Sequence, residues 1–339
     1  MNALAFDPRP MDHLTDPDAP PVDEWLWDGY LARGSITLLT SRWKSGKTTL
    51  VAGVLRALGA GGAFLGRPCA RGAAVVVSEE SPALWAERAR AVPIGPHARL
   101  VSRPFVGRPT PDQWNELVGR AAVLRGAGAL DLLVVDPLAS FLPGRSDGDA
   151  QTCLDMLRPL RGLADAGAAV LVLHHPRKES SEEGSSARGS GALLGDVDVI
   201  LELHRCGSLA SDDRRRRLTG LSRRPQTPRT LVYEWAVGTP EFRVVTDPLE
   251  TRFRENWPAL KALLSARGRA ATHKELLLDW PADQPPPPAS VLYEWLSRAA
   301  AEGLVERTGT GTKTEPFRFG LPRDLHEMLT RFDPLPPRW

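Results

Sequence analysis

Short continuous runs of hydrophobic residues recur through the first two thirds of the chain. The runs are "SITLLT", "GAAVVVSEE", "LDLLVVDPLASF" and "GAAVLVLHHPRK". Continuous rather than alternating apolar residues are typical of strands that are covered on both faces in a parallel sheet. Segments with helical apolar spacing lie between the runs, and the first of them, "TTLVAGVLRALGAGG", ends on glycines that would stop a helix. Strands that alternate with helices predict an α/β domain with a mainly parallel sheet.

The pattern changes near "VTDPLETRF". Beyond it, "RENWPALKALLSARGRAATHKELLLDW" predicts two short helices joined by a turn, with Thr272 capping the second. "ASVLYEWLSRAAAEG" predicts a third helix that ends at Gly303, and a hairpin with the tip "TGTGTKT" follows it. Three helices and a β-hairpin resemble a winged helix-turn-helix domain, in whose DNA-binding form the third helix is the recognition helix.

These patterns divide the 339 residues into three predicted parts, in keeping with a length that favours two domains. We expect residues 1–24, rich in Pro and Asp, to be a mobile tail. Residues 25–248 should form the α/β domain. Residues 249–339 should form the winged-helix-like domain and a C-terminal tail.

Composition and charge limit the function classes. The net charge of +2 gives no global attraction to nucleic acid, so a polyanion site would need a local cluster such as "DDRRRRLTGLSRRPQTPR". Three widely spaced cysteines predict buried, reduced thiols rather than disulfides or a zinc site. No apolar run is long enough to span a bilayer, and the start lacks the order of a signal peptide. We therefore expect a soluble, cytoplasmic protein with no membrane contact.

The stretch "TSRWKSGKTTL", residues 40–50, follows a predicted strand and opens a predicted helix, which is the context of a phosphate-binding P-loop. In such a loop, Lys47 would reach the β- and γ-phosphates and Thr48 would supply a hydroxyl to Mg²⁺. Ser41 stands where the loop normally has glycine, so we expect a cost in backbone freedom but no lost phosphate ligand. We predict ATP and Mg²⁺ as cofactors. The predicted binding residues are Ser41, Lys44, Ser45, Gly46, Lys47, Thr48 and Thr49.

Polar side chains follow three other strands. Asp136 ends "LLVVD", where a carboxylate could hold the Mg²⁺ shell together with Thr48. Glu79 ends "VVVSEE" and could orient or deprotonate the attacking water, although a solvated acidic helix start, which would also suit Glu80, is an alternative. His175, preferred here to His174, could sense the γ-phosphate, the alternative being a structural histidine.

Taken together, "WKSGKTTL", "VVVSEES", "LLVVDPLASF", "VLHHPRK" and "ARGSGALLGDVDVILEL" occur in an order that resembles the RecA-like superfamily and, within it, the RepA-type hexameric helicase ATPases. The resemblance implies a RecA-like P-loop core and a ring of identical subunits with ATP between them. It implies catalytic roles for Lys47, Glu79 as the water-activating residue, Asp136 as the Walker B acid and His175 as the γ-phosphate sensor. Arg188 matches an arginine finger donated to a neighbour's ATP. Arg224 resembles a second such cation, or is a solvated strand end.

The predicted function is an ATPase that acts on DNA as a helicase or remodelling enzyme in replication or recombination of mobile DNA. Two stretches, "FLPGRSDGDAQ" and "RKESSEEGSSARGSG", would face the channel of such a ring. The acidic residues in the second stretch count against DNA contact. The alternative is an ATP-switched DNA-binding or adaptor protein with slow turnover, and a small-molecule kinase is a third possibility that leaves the winged helix unexplained.

The sequence also leaves open whether the winged-helix-like domain binds DNA or a protein. Its third helix places Glu294 and Glu302 against Arg298, which gives little net positive charge. Arg307 and Lys313 on the hairpin could contact phosphates. DNA binding and protein binding both remain possible for this domain.

Overall fold

The computed structural model describes residues 24–142, 150–175, 195–206, 213–236, 239–246, 248–282, 284–312 and 314–322. The chain divides into two compact units, Met1–Val245 and Thr246–Trp339. Residues 1–23 of the predicted tail, most of both predicted channel stretches, Arg188 and Lys313 lie outside the described residues. Among the helices that are described, none has the length and apolar character needed to cross a membrane.

Thirteen strands are described in the first unit, and they form two sheets. They are β1 (Trp25–Trp27), β2 (Leu31–Ala32), β3 (Ile36–Thr40), β4 (Gly62–Phe64), β5 (Arg67–Cys69), β6 (Ala74–Ser78), β7 (Ala98–Ser102), β8 (Leu132–Asp136), β9 (Ala169–His174), β10 (Val199–Arg205), β11 (Arg215–Ser222), β12 (Thr230–Trp235) and β13 (Phe242–Val244). The helices are α1 (Lys47–Ala60), α2 (Pro82–Ala91), α3 (Pro111–Gly126), α4 (Ala150–Asp165) and a 3₁₀ turn at Leu138–Phe141.

The larger sheet has nine strands in the order β13-β12-β11-β10-β3-β9-β8-β6-β7. The six strands from β10 to β7 run parallel, and β11, β12 and β13 continue the sheet antiparallel. The prediction of an α/β fold with a mainly parallel sheet is confirmed. Because parallel strands end at the same edge, the segments after β3, β6, β8 and β9 meet there.

The strands are apolar throughout because their two faces lie in two different cores. In β3, Leu39 belongs to the core that contains α1, whereas Leu38 belongs to the core that contains α3 and α4. The continuous apolar runs predicted these strands correctly because both faces of each strand are buried. β7 was not predicted, because "ARLVS" is an edge strand with an arginine and half-exposed residues rather than a buried apolar run.

The smaller sheet has the order β2-β1-β5-β4. Trp27 in β1 is 1% exposed, lies 4.3 Å from Tyr30 between ring centroids, and donates its indole N–H to Phe64 O at 3.1 Å. Trp25 lies under the guanidinium of Arg224, 5.5 Å from the ring centroid. Both aromatic side chains therefore have packing roles within this part of the unit. As predicted, Cys69 and Cys153 are buried free thiols, while Cys206 is half-buried.

The described residues of the second unit form three helices and a two-stranded antiparallel hairpin. They are α5 (Pro248–Arg267), α6 (His273–Leu278), α7 (Ala289–Ala301), β14 (Glu306–Thr308) and β15 (Arg318–Gly320). α5 has 20 residues and is thus longer than the short helix predicted. Thr272 caps α6 as predicted, in a capping box with Glu275. Ala271 also bridges to Phe319 in β15 and joins the turn between helices to the hairpin.

Candidate functional site

The loop between β3 and α1 has the backbone of a tight anion-binding turn. Gly46 caps α1 with φ 99° and Lys44 has φ 57°, both in the left-handed region. Among the described residues, the other non-glycine positions with positive φ are Leu65 and Arg103, so Ser41 is not strained. The expected backbone cost of serine at position 41 is therefore wrong, because the chain does not need left-handed geometry there.

Lys47 begins α1 and is almost completely buried. Its Nζ donates to Ser41 Oγ at 2.8 Å and to Ser41 O at 3.3 Å, and it lies 3.0 Å from His175 Nδ1. Burial lowers the pKa of Lys47 to about 8, although the Asp136 carboxylate opposes this shift. Burial, and then the Lys47 charge, lower the pKa of His175. Since an ammonium can only donate, Nδ1 accepts this bond and His175 is neutral.

Thr48 and Asp136 face each other across the end of the sheet. Thr48 Oγ1 donates to Asp136 Oδ2 at 3.0 Å. Asp136 is 5% exposed, and burial raises its pKa to about 6, while the hydrogen bond from Thr48 acts in the opposite direction. The structure thus brings together the two predicted Mg²⁺ ligands.

Glu79 and Glu80 follow β6 but have different surroundings. Glu79 is exposed at the mouth of the site, and Ser140 Oγ donates a short hydrogen bond to its Oε2. Glu80 instead accepts two hydrogen bonds from Arg88, at 2.6 and 3.1 Å. Glu80 is therefore occupied by a cation, and Glu79 is the carboxylate that can still turn toward a water molecule. Neither Ser140 nor Arg88 was predicted from the sequence to belong to the site.

These residues surround one cavity of about 390 Å³. Its lining comprises Trp43, Lys44, Ser45, Gly46, Lys47, Thr48, Thr49, Glu79, Glu80, Arg88, Asp136, His175, Arg205, Arg216 and Trp235. Ser41 lies beneath it, in contact with Lys47. The lining has five basic side chains against three carboxylates, which suits an anionic ligand. Apart from Arg224, the predicted site residues that the structure describes thus lie in or directly below this cavity.

Arg205 and Arg216 are the main site residues that sequence reasoning missed. Arg216 Nε donates to Ser45 O at 2.8 Å, and Arg205 Nη2 donates to Lys44 O at 3.0 Å. Arg216 lies in the basic cluster noted in the sequence, whereas Arg205 lies before it, in β10. That cluster alone could not show that β10 pairs with β3 and β11 with β10, which brings these side chains to the loop.

Arg224 lies away from the cavity lining. It pairs with Glu24, donates to Ser35 Oγ at 3.0 Å, and covers the ring of Trp25. Ser35 precedes β3, so Arg224 lies at the end of the sheet opposite the phosphate loop. The side chain is engaged within its own chain rather than being a simple solvated strand end.

The strand order, the loop that opens α1 and the acid at the end of β8 define a nucleotide-binding core of the P-loop NTPase type. A family model described as an AAA domain matches residues 3–181, just over half of the chain, and the protein belongs to this family of P-loop ATPases. A comparison with curated proteins finds no similar sequence.

Proposed function

We propose that the protein binds and hydrolyses ATP in a RecA/RepA-like core and uses the cycle to act on DNA as an oligomer. The observation that carries the nucleotide chemistry is the convergence of Lys47, Thr48, Asp136 and Glu79 on one cationic cavity. Each group comes from the end of a different parallel strand or from the loop. A chance match to one motif could explain Lys47 and Thr48, but it would not also bring Asp136 and Glu79 to the same cavity.

The phosphate-binding side chains have distinct proposed tasks. Lys47 holds the β- and γ-phosphates, and it must exchange part of its present contacts with Ser41 and His175 to do so. Glu79, held by Ser140, accepts a hydrogen bond from the attacking water and directs it in line with the γ-phosphate. His175 loses its Lys47 contact when a γ-phosphate enters, which makes it a candidate sensor of the nucleotide state.

The oxygen ligands at Thr48 and Asp136 fit Mg²⁺. A hydroxyl and a carboxylate only 3.0 Å apart are hard oxygen donors, and burial raises the pKa of Asp136 to about 6, so a bound cation would favour its charged form. When bound, the cation would neutralise charge that develops between the β- and γ-phosphates. Thr48 and Asp136 would hold it from the protein side.

A ring or filament would complete the site. Arg88, which lines the cavity, is already bonded twice to Glu80 and is poorly placed to stabilise additional charge on the γ-phosphate. We therefore propose that Arg188 of a neighbouring subunit supplies that cation, as the family resemblance implies. Arg188 lies outside the described residues.

We further propose that the second unit is a winged helix. Its three helices, the bridge from Ala271 to Phe319 and the β14–β15 hairpin support this assignment. Arg307, stacked 4.6 Å over the ring of Phe317, could contact phosphates from the hairpin.

One observation favours the alternative of an ATP-switched adaptor. Arg298, on the helix that would read DNA, donates to Glu250 at 3.0 Å and to Glu302 at 2.8 Å. Arg318 in the hairpin likewise lies 3.3 Å from Glu275. Because these cations are matched by carboxylates, this surface attracts DNA weakly and would suit a protein partner as well.

The test is to measure ATP hydrolysis and molar mass by light scattering on the same samples, without DNA and with single- or double-stranded DNA. The variants are Lys47→Ala, Glu79→Gln and Arg188→Ala. The control is Arg120→Ala, which removes an exposed arginine paired with Glu116 on the surface of α3.

We expect DNA to stimulate hydrolysis in wild type and in the control. Lys47→Ala should abolish ATP binding, and Glu79→Gln should bind ATP without turnover. Arg188→Ala should assemble but hydrolyse slowly. Assembly that depends on ATP but never responds to DNA would replace the DNA-acting function with the adaptor function, and absence of ATP binding in wild type would refute both.

A further inference from the structure

Two arginines hold the phosphate loop from the side of the antiparallel strands. Arg205 in β10 and Arg216 in β11 are directly opposite each other in the strand pairing. Their guanidinium groups donate to consecutive carbonyls of the loop, Lys44 O at 3.0 Å and Ser45 O at 2.8 Å. Lys44 and Ser45 immediately precede Gly46, the residue that caps α1.

The planarity of the peptide bond turns these two contacts into a constraint on the loop amides. In a trans peptide, the carbonyl of one residue and the N–H of the next point in opposite directions. A carbonyl of Lys44 held toward Arg205 therefore directs the N–H of Ser45 away from that arginine. The bond from Arg216 to Ser45 O does the same for the N–H of Gly46. Amides in this part of the loop are the groups that such a turn offers to phosphate oxygens.

Arg216 is fixed firmly enough to impose this geometry. It is 8% exposed, and its Nη1 donates to Asp213 O at 3.1 Å and to Arg215 O at 2.9 Å, while Nε contacts the loop. A β-carbon built on Gly46 would lie 3.7 Å from Arg216 Nε, so the guanidinium lies against the loop at this residue. The left-handed backbone at Lys44 is unfavourable for a residue with a side chain and needs such outside support.

We propose that Arg205 and Arg216 are positioning residues for the nucleotide: they hold the Lys44 and Ser45 carbonyls so that the Ser45 and Gly46 amides are set for a di- or triphosphate before it arrives. This inference rests on the proposed binding of ATP at the same site. It assigns both arginines to their own chain's nucleotide, in contrast to a finger donated to a neighbour. It also gives β10, at the edge of the parallel strands, and its antiparallel neighbour β11 a part in nucleotide binding.

The test is equilibrium binding of fluorescent ATP and ADP analogues to the full chain, together with steady-state hydrolysis. The variants are Arg216→Gln, Arg216→Lys and Arg205→Gln. Arg214→Gln is the matched control, because it removes an exposed arginine from the residue that precedes β11. Thermal unfolding without nucleotide checks the fold of each variant, and half-exposed Arg205 carries the test if Arg216→Gln does not fold.

We expect Arg216→Gln to weaken ATP and ADP binding alike, by about tenfold, since both nucleotides place a β-phosphate on the loop. KM should rise while kcat at saturating ATP changes by less than about threefold, and Arg216→Lys should recover part of the affinity because it retains a charged donor. Arg205→Gln should show the same pattern more weakly.

Three results would overturn the proposal in different ways. Binding by Arg216→Gln and Arg205→Gln equal to that of Arg214→Gln would show that the loop needs no outside support. A loss confined to ATP would make Arg216 a direct ligand of the γ-phosphate instead. Failure of the wild type to bind either nucleotide, or unchanged binding by Lys47→Ala, would refute the proposed function itself.

Discussion

Replacing Ser41 with alanine should lower the free energy of unfolding of the nucleotide-free protein and raise its affinity for ATP. In the structure, the three protons of the Lys47 ammonium have three acceptors, namely Ser41 Oγ, Ser41 O and His175 Nδ1. A phosphate that binds Lys47 must displace at least one of them. The hydroxyl of Ser41 therefore competes with the ligand, and serine at this position stabilises the empty loop.

The size of the effect follows from the burial of the pair. Ser41 and Lys47 are 2% and 5% exposed, and the bond between Nζ and Oγ is 2.8 Å long. A hydrogen bond to a charged group contributes about 1.5–3 kcal/mol. Ser41→Ala should thus lower the free energy of unfolding of the empty protein by roughly 2 kcal/mol, at the lower part of that range because two acceptors remain. ATP affinity should rise by up to about tenfold, which corresponds to ~1.4 kcal/mol.

Urea unfolding without nucleotide gives the first quantity, and calorimetric titration with ATP and Mg²⁺ gives the second. Ser45→Ala is the matched control, because the Ser45 hydroxyl donates to Arg42 O at 2.7 Å within the same loop but does not contact Lys47. The control should lose stability without a gain in affinity. A fall in ATP affinity in Ser41→Ala would refute the reasoning, because Ser41 Oγ would then be a partner of Lys47 in the bound state.

Three further perturbations address the metal site, the loop backbone and the second unit. Burial raises the pKa of Asp136 in the folded protein to about 6, against an ordinary value of 3.8. The folded protein therefore binds this proton more tightly than the unfolded chain does. The free energy of unfolding should fall by about 3 kcal/mol as pH rises from about 4 to 6. Asp136→Asn should lack this part of the pH profile in urea unfolding, and identical profiles would contradict the assignment. Gly46→Ala forces a side chain to adopt φ 99°, which should cost about 1–2 kcal/mol and weaken ATP binding at least tenfold in the same titration. Gly119→Ala, at an open position within α3, should instead raise stability by up to about 1 kcal/mol, because alanine favours the helix, and should leave ATP binding unchanged. Thr272→Ala removes the capping box of α6 and should lower the free energy of unfolding by about 1 kcal/mol in urea. The control Thr310→Ala, on the exposed hairpin, should have little effect. Equal effects of the two substitutions would argue against the cap.

The parallel half of the sheet could be predicted from the sequence because most of its strands are continuous apolar runs that can be recognised without knowing their neighbours. Buried strands such as β6 and β8 are apolar on both faces, and the residues that end them, Glu79 and Asp136, meet at one edge for purely topological reasons. Lys47 could be identified because a phosphate loop needs glycine, lysine and a hydroxyl in a fixed local order. None of these inferences required knowledge of distant contacts.

The remaining parts of the site depend on pairing that has no local signal. Arg205 and Arg216 reach the loop only because β10 pairs with β3 across a long sequence separation. Ser140 contacts Glu79 only because a 3₁₀ turn follows β8. The effect of Ser41 was also misjudged from sequence, because the motif indicates which residue is usual there but not whether the backbone at that position has positive φ.

The position of β3 in the sheet has a consequence for how the protein is made. Ile36, at the start of this strand, bonds through its backbone N–H to Asp198, 162 residues further along the chain. At a ribosomal rate of about 5–20 residues per second, the strand that leads into the phosphate loop waits roughly 8–30 s before its second neighbour is synthesised. During that interval, the nascent chain carries a loop whose β10 and β11 supports do not yet exist. Nucleotide binding should therefore be acquired late in biosynthesis, after most of the first unit has left the ribosome.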